Sequence, residues 1–378
     1  MKILHVVNIF FTIPYFLGEQ LNYFSNKGYE LYVICSPSEL IQSYSSSHSF
    51  KYKQVPILRK ISLYRDLKAL ISIVAFIKKN KIDIVVGHTP KGALLAMISA
   101  FISRVPTRIY FRHGLVYETS RGLTRFILMS MDRLTSFLST KIVCVSPSVY
   151  QQSLSDNLNS EKKQTILHKG TCNGIDVKRF HRVHISDVYY RKLRNKYNIL
   201  DESIVIGYTG RLVCDKGIVE LVEAFITLRE KHSDLLLLLV GMLEEKDALP
   251  METVDEIEKN PSIVYTGYVS NDIIENYYAL MDIFVLPSYR EGFPTSILEA
   301  SSMELPILTT RATGCRDAIV AGETGEFVEH DSNDIVKHLE LFIKDRDLKQ
   351  SYGANGRKFV VDNFRQERVW EEIEKLYQ

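Results

Sequence analysis

Short runs of Val, Ile and Leu recur along this 378-residue chain, separated by helix-length amphipathic segments, in two series divided by a polar stretch at 181–203. Apolar runs without alternation belong to strands covered on both faces, which means parallel strands linked by crossover helices. The first series predicts strands near 2–7, 29–35, 83–86, 108–112 and 141–145, with helices over 62–80, 91–103 and 121–139. The second starts at Ile204-Val205-Ile206-Gly207-Tyr208 and continues at 235–240, 263–265, 283–286, 306–308 and 326–328. The chain therefore reads as α/β, with two Rossmann-like, doubly wound domains: an N-terminal one over 1–180, a linker at 181–203 and a C-terminal one over 204–362. Residues 363–378 read as an amphipathic helix, with Val369, Trp370, Ile373, Leu376 and Tyr377 apolar, expected to pack back on the first domain. Ser43 to Ser49 reads as a serine-rich loop, expected to be mobile. Open α/β sheets bind ligands at the carboxyl ends of their strands, so two such domains facing a central cleft would hold a ligand there.

Composition narrows the class. The five cysteines, Cys35, Cys144, Cys172, Cys214 and Cys315, are scattered without a C-x-x-C pair, which argues against a disulfide framework or a zinc site and fits a reducing compartment. The opening Met1-Lys2-Ile3-Leu4-His5-Val6-Val7 begins a strand at once, with no signal-peptide stretch, and no apolar run approaches the ~20 residues that span a bilayer. A cytoplasmic protein is expected. Net charge is only +2, yet residues 1–180 hold 24 Lys and Arg against 10 Asp and Glu, while 181–378 hold 23 against 35. A basic half is a footprint for a phosphorylated lipid, a membrane surface or nucleic acid, unless it simply complements the acidic half. Nucleic acid is the weakest of these, because no recognition motif is present and few aromatics lie among the basic residues.

Two segments carry chemistry. Gly207-Tyr208-Thr209-Gly210-Arg211-Leu212-Val213-Cys214-Asp215-Lys216-Gly217 runs from a strand into an apolar-periodic helix starting at Ile218. Glycines let a phosphate approach the backbone, the helix N-terminus offers unpaired N–H groups, and Arg211 and Lys216 add positive charge. Leu286-Pro287-Ser288-Tyr289-Arg290-Glu291-Gly292-Phe293-Pro294-Thr295-Ser296-Ile297-Leu298-Glu299-Ala300 repeats strand, turn and helix. It puts Glu291 in the loop and Glu299 ~8 Å further along the helix axis. Carboxylates accept paired hydrogen bonds from vicinal hydroxyls, so one can hold a sugar while the other holds a ribose. Read separately, each segment is also an ordinary turn followed by a solvated helix face. The single D-x-D, Asp345-Arg346-Asp347, falls between late helical segments and reads as a helix cap rather than a metal site.

In these residues the chain resembles glycosyltransferase family 4, the retaining enzymes of GT-B fold, over nearly its whole length. The carriers are G-R-L-x-x-x-K-G at Gly210 to Gly217, the E-x(7)-E pair Glu291 and Glu299, and Asn173-Gly174-Ile175-Asp176 ahead of Phe180, similar to the family's N-G-[IV]-D-x-x-x-F. The resemblance implies that Gly210, Arg211 and Lys216 hold the donor diphosphate, Glu299 the ribose and Glu291 the transferred sugar, with backbone contacts from Gly292, Phe293, Pro294 and Thr295. His113, at the end of Tyr110-Phe111-Arg112-His113-Gly114, looks like the family's histidine facing the donor sugar. Gly87-His88-Thr89-Pro90-Lys91 resembles an acceptor-side turn, so His88 and Lys91 would lie near the acceptor. One departure is plain: the turn after the first strand, from Asn8 to Gly18, lacks the family's glycine pair and is instead aromatic, suggesting an acceptor with a lipid or a ring to stack on.

The resemblance further implies a retaining, metal-independent transfer without cofactor from a nucleotide-diphosphate sugar, a UDP-N-acetylhexosamine being favoured over GDP-linked sugars. The expected acceptor is a polyprenyl-diphosphate-linked saccharide in polysaccharide or glycan biosynthesis. Two basic amphipathic segments, 59–81 with Arg59, Lys60, Arg65, Lys68, Lys78, Lys79 and Lys81, and 121–141 with Arg121, Arg125, Arg133 and Lys141, suit peripheral contact with the anionic inner face of the cytoplasmic membrane. The plainer reading of both is a helix with its apolar side on the sheet. Two other functions fit the fold class: a nucleotide-sugar epimerase, which needs no acceptor, and a nucleotide-sugar-binding protein without catalysis.

Overall fold

A computed structural model describes residues 1–58, 62–245 and 247–378. The chain forms two compact units, one of Met1–Gly174 with Gln366–Gln378, the other of Ile175–Arg365.

The first unit is built on a parallel seven-stranded sheet. Its strands are β1 (Lys2–Val6), β2 (Glu30–Cys35), β3 (Lys51–Gln54), β4 (Ile84–Gly87), β5 (Thr107–Arg112), β6 (Lys141–Cys144) and β7 (Gln164–Ile166). They lie in the order β3-β2-β1-β4-β5-β6-β7. The order reverses between β1 and β4, which makes the carboxyl ends of that pair the switch point where such sheets bind ligands. The inner strands are buried except at their first one or two residues, β4 at every position, whereas β3 reads Lys-Tyr-Lys-Gln and has no buried residue. Edge strands have one neighbour and a wet side, and for that reason β3 and β7 lack the apolar signature by which the other strands are visible in the sequence.

Helices Leu63–Asn80, Pro90–Ile102 and Gly122–Leu138 connect β3 through β6 on one face. Ala69, Ile73 and Ile77 of the first of these pack with Leu4, Val85 and Met97 in a core cluster. Leu63, Leu67 and Ile71 of the same helix are exposed, as are Leu123, Phe126 and Phe137 of the third. Both helices thus divide their apolar residues between the sheet and the outside. Their acids turn inward: Asp66 pairs with Lys91 at 2.7 Å and Asp132 with the fully buried Arg112 at 2.6 Å. Arg59 and Lys60 lie outside the described residues.

Two segments differ from the sequence reading. Ile41–Ser47 is a helix rather than a loop, its serines bonding back to the preceding turn, as Ser46 Oγ does to the Gln42 carbonyl at 3.1 Å. Residues 181–203 contain the helix Asp187–Lys196, and the chain leaves the first unit earlier, at Gly174. The cause is a set of long side chains that tie 175–185 to the second unit. Arg182 donates to the carbonyls of Ala279, Met281 and Met303, Arg179 pairs with Glu275 at 2.6 Å, and Arg357 reaches the Val177 carbonyl. The crossing into this unit and the crossing out lie side by side, with the Ile175 N–H on the Phe364 carbonyl at 2.8 Å. Beyond it, the helix Gln366–Tyr377 belongs to the first unit, where Trp370 Nε1 donates to Asn173 Oδ1 at 2.9 Å and Tyr377 meets Phe24 edge to face.

The second unit carries a parallel six-stranded sheet. Its strands are β8 (Ile204–Thr209), β9 (Leu235–Val240), β10 (Ile263–Tyr265), β11 (Ile283–Leu286), β12 (Ile307–Thr309) and β13 (Gly325–Phe327), in the order β10-β9-β8-β11-β12-β13. Its switch point lies between β8 and β11.

Candidate active site

Both chemical segments of the second unit end at that switch point. After β8 the chain runs through Gly210 and Arg211 to a short turn, Cys214–Lys216, then to Gly217 at φ 70° and the helix Ile218–Arg229. Gly217 has no substitute here: a Cβ would stand 2.2 Å from the Pro287 carbonyl oxygen, besides the strain of its left-handed backbone. That close approach locks the turn against the loop that follows β11. In this loop Lys216 Nζ meets Glu291 Oε1 at 2.5 Å, with both side chains largely buried. Beside them Arg290 pairs with Asp215 at 2.9 Å, while the Asp215 carbonyl accepts the Tyr289 N–H. The loop then enters the helix Thr295–Ser302, so Gly292, Phe293 and Pro294 stand just ahead of its first turn.

Arg211, on the opposite limb, pairs with Glu244 at 3.0 Å. Glu299, half-buried in the helix Thr295–Ser302, accepts from the Tyr278 hydroxyl at 2.7 Å, and that hydroxyl also bonds Thr209 at 2.7 Å. Burial pushes the Glu299 carboxyl up to about 7, with the Tyr278 hydrogen bond and the Arg179 charge working the other way. The site thus gathers three cations, each already satisfied by a carboxylate, beside two helix N-termini. A diphosphate is the kind of ligand that competes for such cations. The sequence reading identifies Arg211, Lys216, Glu291 and Glu299 but misses Glu244, Asp215, Arg290 and Tyr278, whose part comes from packing alone. Asp345, of the D-x-D, caps a helix by accepting the Leu348 N–H at 2.8 Å.

In the first unit three histidines stand at the ends of adjacent strands. His5 Nδ1 lies 3.1 Å from His88 Nε2, and His88 Nδ1 lies 2.9 Å from His113 Nε2. Phe16 stacks on His113 with ring centroids 3.7 Å apart, so the aromatic turn after β1 is folded onto the site rather than wholly open for stacking. Burial lowers all three imidazoles, His5 and His113 to about 3. His88 is interior and Lys91 is buried against Asp66, so neither turns a polar end to solvent as it stands. His5 is the residue missed here, a lone polar letter in an apolar strand.

Comparison with known proteins follows the two units. Residues 2–146 match the model described as glycosyl transferase 4-like, and residues 190–359 match that of glycosyl transferases group 1. Over 378 residues, all of this chain and 96% of the relative, the sequence is 35% identical to the capsular polysaccharide biosynthesis glycosyltransferase CapM of Staphylococcus aureus. The chain belongs to glycosyltransferase family 4.

Another relative of this family 4 glycosyltransferase, 26% identical over 93% of the chain and 89% of its own length, is the Escherichia coli UDP-Gal:α-D-GlcNAc-diphosphoundecaprenol α-1,3-galactosyltransferase. A third, from Campylobacter jejuni, is an N,N'-diacetylbacillosaminyl-diphospho-undecaprenol α-1,3-N-acetylgalactosaminyltransferase, 25% identical over 76% of the chain and 75% of its own length. Among solved structures, Anabaena HepE in complex with UDP-glucose superposes with a TM-score of 0.82 at 16% identity, covering 99% of this chain and 98% of its own. The glycosyltransferase WaaG superposes at 0.76 with 16% identity, covering 100% and 99%. These likenesses establish the GT-B fold. Among the described residues no helix is long and apolar enough to cross a membrane.

Proposed function

We propose that this glycosyltransferase moves a sugar, with retention of configuration and without a metal, from a nucleoside-diphosphate donor to a lipid-diphosphate-linked saccharide in surface polysaccharide or glycan assembly. The observation that carries the reading is the Lys216–Glu291 pair at the β8/β11 switch point, which sets a phosphate-binding cation 2.5 Å from a hydroxyl-binding carboxylate. The donor diphosphate lies over Gly210 and the N-terminus of the helix Ile218–Arg229, held by Arg211 and Lys216. Glu299 takes the ribose hydroxyls, and Glu291 the transferred sugar. The acceptor hydroxyl attacks the anomeric carbon from the face the diphosphate leaves. The bond from that carbon to the β-phosphate oxygen breaks, and this oxygen takes the acceptor's proton. Arg211, Lys216 and the helix N-terminus stabilise the charge that grows on the leaving oxygen.

A UDP-sugar is the favoured donor, as named for the Escherichia coli relative, which moves galactose; an N-acetylhexosamine is the favoured sugar, as named for the Campylobacter jejuni relative; and a polyprenyl diphosphate is the favoured anchor, in line with the undecaprenyl-diphosphate-linked acceptors named for both. Peripheral contact with the inner face of the cytoplasmic membrane draws support from the exposed Leu63, Leu67, Ile71, Leu123, Phe126 and Phe137. Arg65, Lys68, Arg121 and Arg133 are also exposed there, and the acids of both helices are occupied by Lys91 and Arg112. Apolar insertion among basic side chains is how a helix lies on an anionic leaflet.

The test is transfer from UDP- and GDP-sugars to a polyprenyl-diphosphate-linked saccharide, with and without EDTA, and with the anomeric configuration of the product read by NMR. A retained anomer formed in EDTA, and lost in both Lys216→Ala and Glu291→Ala, is expected. An inverted anomer, a requirement for metal, or wild-type turnover in both variants would overturn the mechanism.

A further inference from the structure

Two ion pairs cross between the turn Cys214–Lys216 and the loop after β11, and adjacent residues make them on both sides: Asp215 with Arg290, and Lys216 with Glu291. In the function proposed above, the donor takes Lys216 onto its diphosphate and Glu291 onto its sugar, so the second contact is given up as the donor binds. The first pair is unfinished. Arg290 Nη2 donates to Asp215 Oδ2 at 2.9 Å, while Arg290 Nε and Asp215 Oδ1 are both buried and neither has a hydrogen-bond partner. Buried polar groups are rarely left unmet. A guanidinium and a carboxylate joined at one N–H and one oxygen carry the other N–H and the other oxygen alongside, so a small rotation makes the pair two-armed. The main chain around it is tied from both sides. The Asp215 carbonyl accepts from the Tyr289 N–H at 3.0 Å and from Ser288 Oγ at 3.1 Å, and the Arg290 carbonyl accepts from Lys216 Nζ at 3.4 Å. The last of these bonds holds Arg290 to the very cation that the donor draws away.

We propose that Asp215 and Arg290 are positioning residues: their pair closes from one hydrogen bond to two when the donor separates Lys216 from Glu291, and it keeps the phosphate turn and the carboxylate loop in register while both hold the donor. The new bond runs from Arg290 Nε to Asp215 Oδ1. The proposal rests on the donor reading above, and every residue in it belongs to the second unit. Of the three cations of the site, Arg290 is then the one that keeps its carboxylate, with Arg211 and Lys216 left to the diphosphate. A bond made only in the bound state strengthens donor binding without adding to the stability of the free protein.

The experiment is proton–nitrogen correlation NMR of the arginine Nε–H groups in arginine-labelled full-length protein, without and with UDP, together with UDP calorimetry and donor kinetics. The Arg290 resonance, assigned by its loss in Arg290→Lys, is expected to move downfield when UDP binds. Asp215→Asn keeps an oxygen for the existing bond but has no second acceptor, and Arg290→Lys keeps the charge without the fork. In each, UDP affinity is expected to fall about tenfold, the scale of one charge-assisted hydrogen bond, and KM for the donor to rise by the same factor. The double variant is expected to bind no more weakly than the weaker single one, because both remove the same bond. An Nε–H resonance that UDP leaves unmoved, or wild-type UDP affinity in both single variants even where their melting midpoints fall, overturns the proposal. Lys216→Ala tests the underlying donor reading separately: wild-type UDP affinity there would take the diphosphate away from this turn, whatever the Arg290 resonance does.

Discussion

If Glu299 receives the ribose hydroxyls of the donor, nucleotide binding is coupled to its ionisation. Burial holds this carboxyl near 7 in the free protein, well above the ordinary carboxylate range. The hydroxyls donate, so the bound state needs the carboxylate, and binding below the free pKa must expel a proton. At pH 6 about a tenth of the carboxyls are ionised and at pH 8 about nine-tenths, so affinity for UDP falls about tenfold from pH 8 to pH 6. About one proton is released per UDP at pH 6 and almost none at pH 8. Titration calorimetry in two buffers of different ionisation enthalpy measures both quantities. Glu299→Gln removes the coupling and leaves a weak, flat affinity. The stability sign is opposite: a raised carboxyl pKa means that the fold gains from protonation below the unfolded value. That gain is lost as pH rises from about 4.5 to about 7, a slope the Gln variant lacks. A wild-type affinity that is level between pH 6 and 8, with no proton released, would show that Glu299 does not meet the nucleotide as a carboxylate.

Glu244 occupies Arg211 at 3.0 Å where the diphosphate is to bind, so Glu244→Gln is expected to tighten UDP several-fold, with the gain absent on an Arg211→Ala background. A weaker UDP complex in Glu244→Gln would mean that the carboxylate orients the arginine rather than competing for it. Gly217→Ala forces a Cβ against the Pro287 carbonyl and is expected to lower stability by at least ~1 to 3 kcal/mol, read as a lower melting midpoint without ligand.

Legibility followed burial. β9, Leu235 to Val240, is buried at every position and reads as a strand because little else in a globular chain is apolar for that length. β3 and β7 are silent for the converse reason, being edges with few residues to hide. The cations and carboxylates of the site are legible because their chemistry resides in residue type and spacing, after a strand and before a helix. Their partners are not. Glu244 lies 33 positions from Arg211 and Tyr278 21 from Glu299, and only the sheet order brings them together. The place where the chain enters the second unit is hidden for the same cause: the polar stretch from 181 looks like a linker, and only the bonds of Arg179 and Arg182 show that 175–185 belong to the second unit.

The helix Gln366–Tyr377 gives the order of synthesis a structural meaning. Residues made last belong to the unit made first, and the whole of Ile175–Arg365 intervenes. During translation the ring surfaces of Tyr23, Phe24 and Tyr29 that Trp370 and Tyr377 cover stay open. At ~5 to 20 residues per second the wait is on the order of ten seconds or more. The amino-terminal unit is therefore the last to be completed, and a ribosome stalled in the second unit holds out a half-dressed first one. A chaperone that shields aromatic surface has its natural moment there.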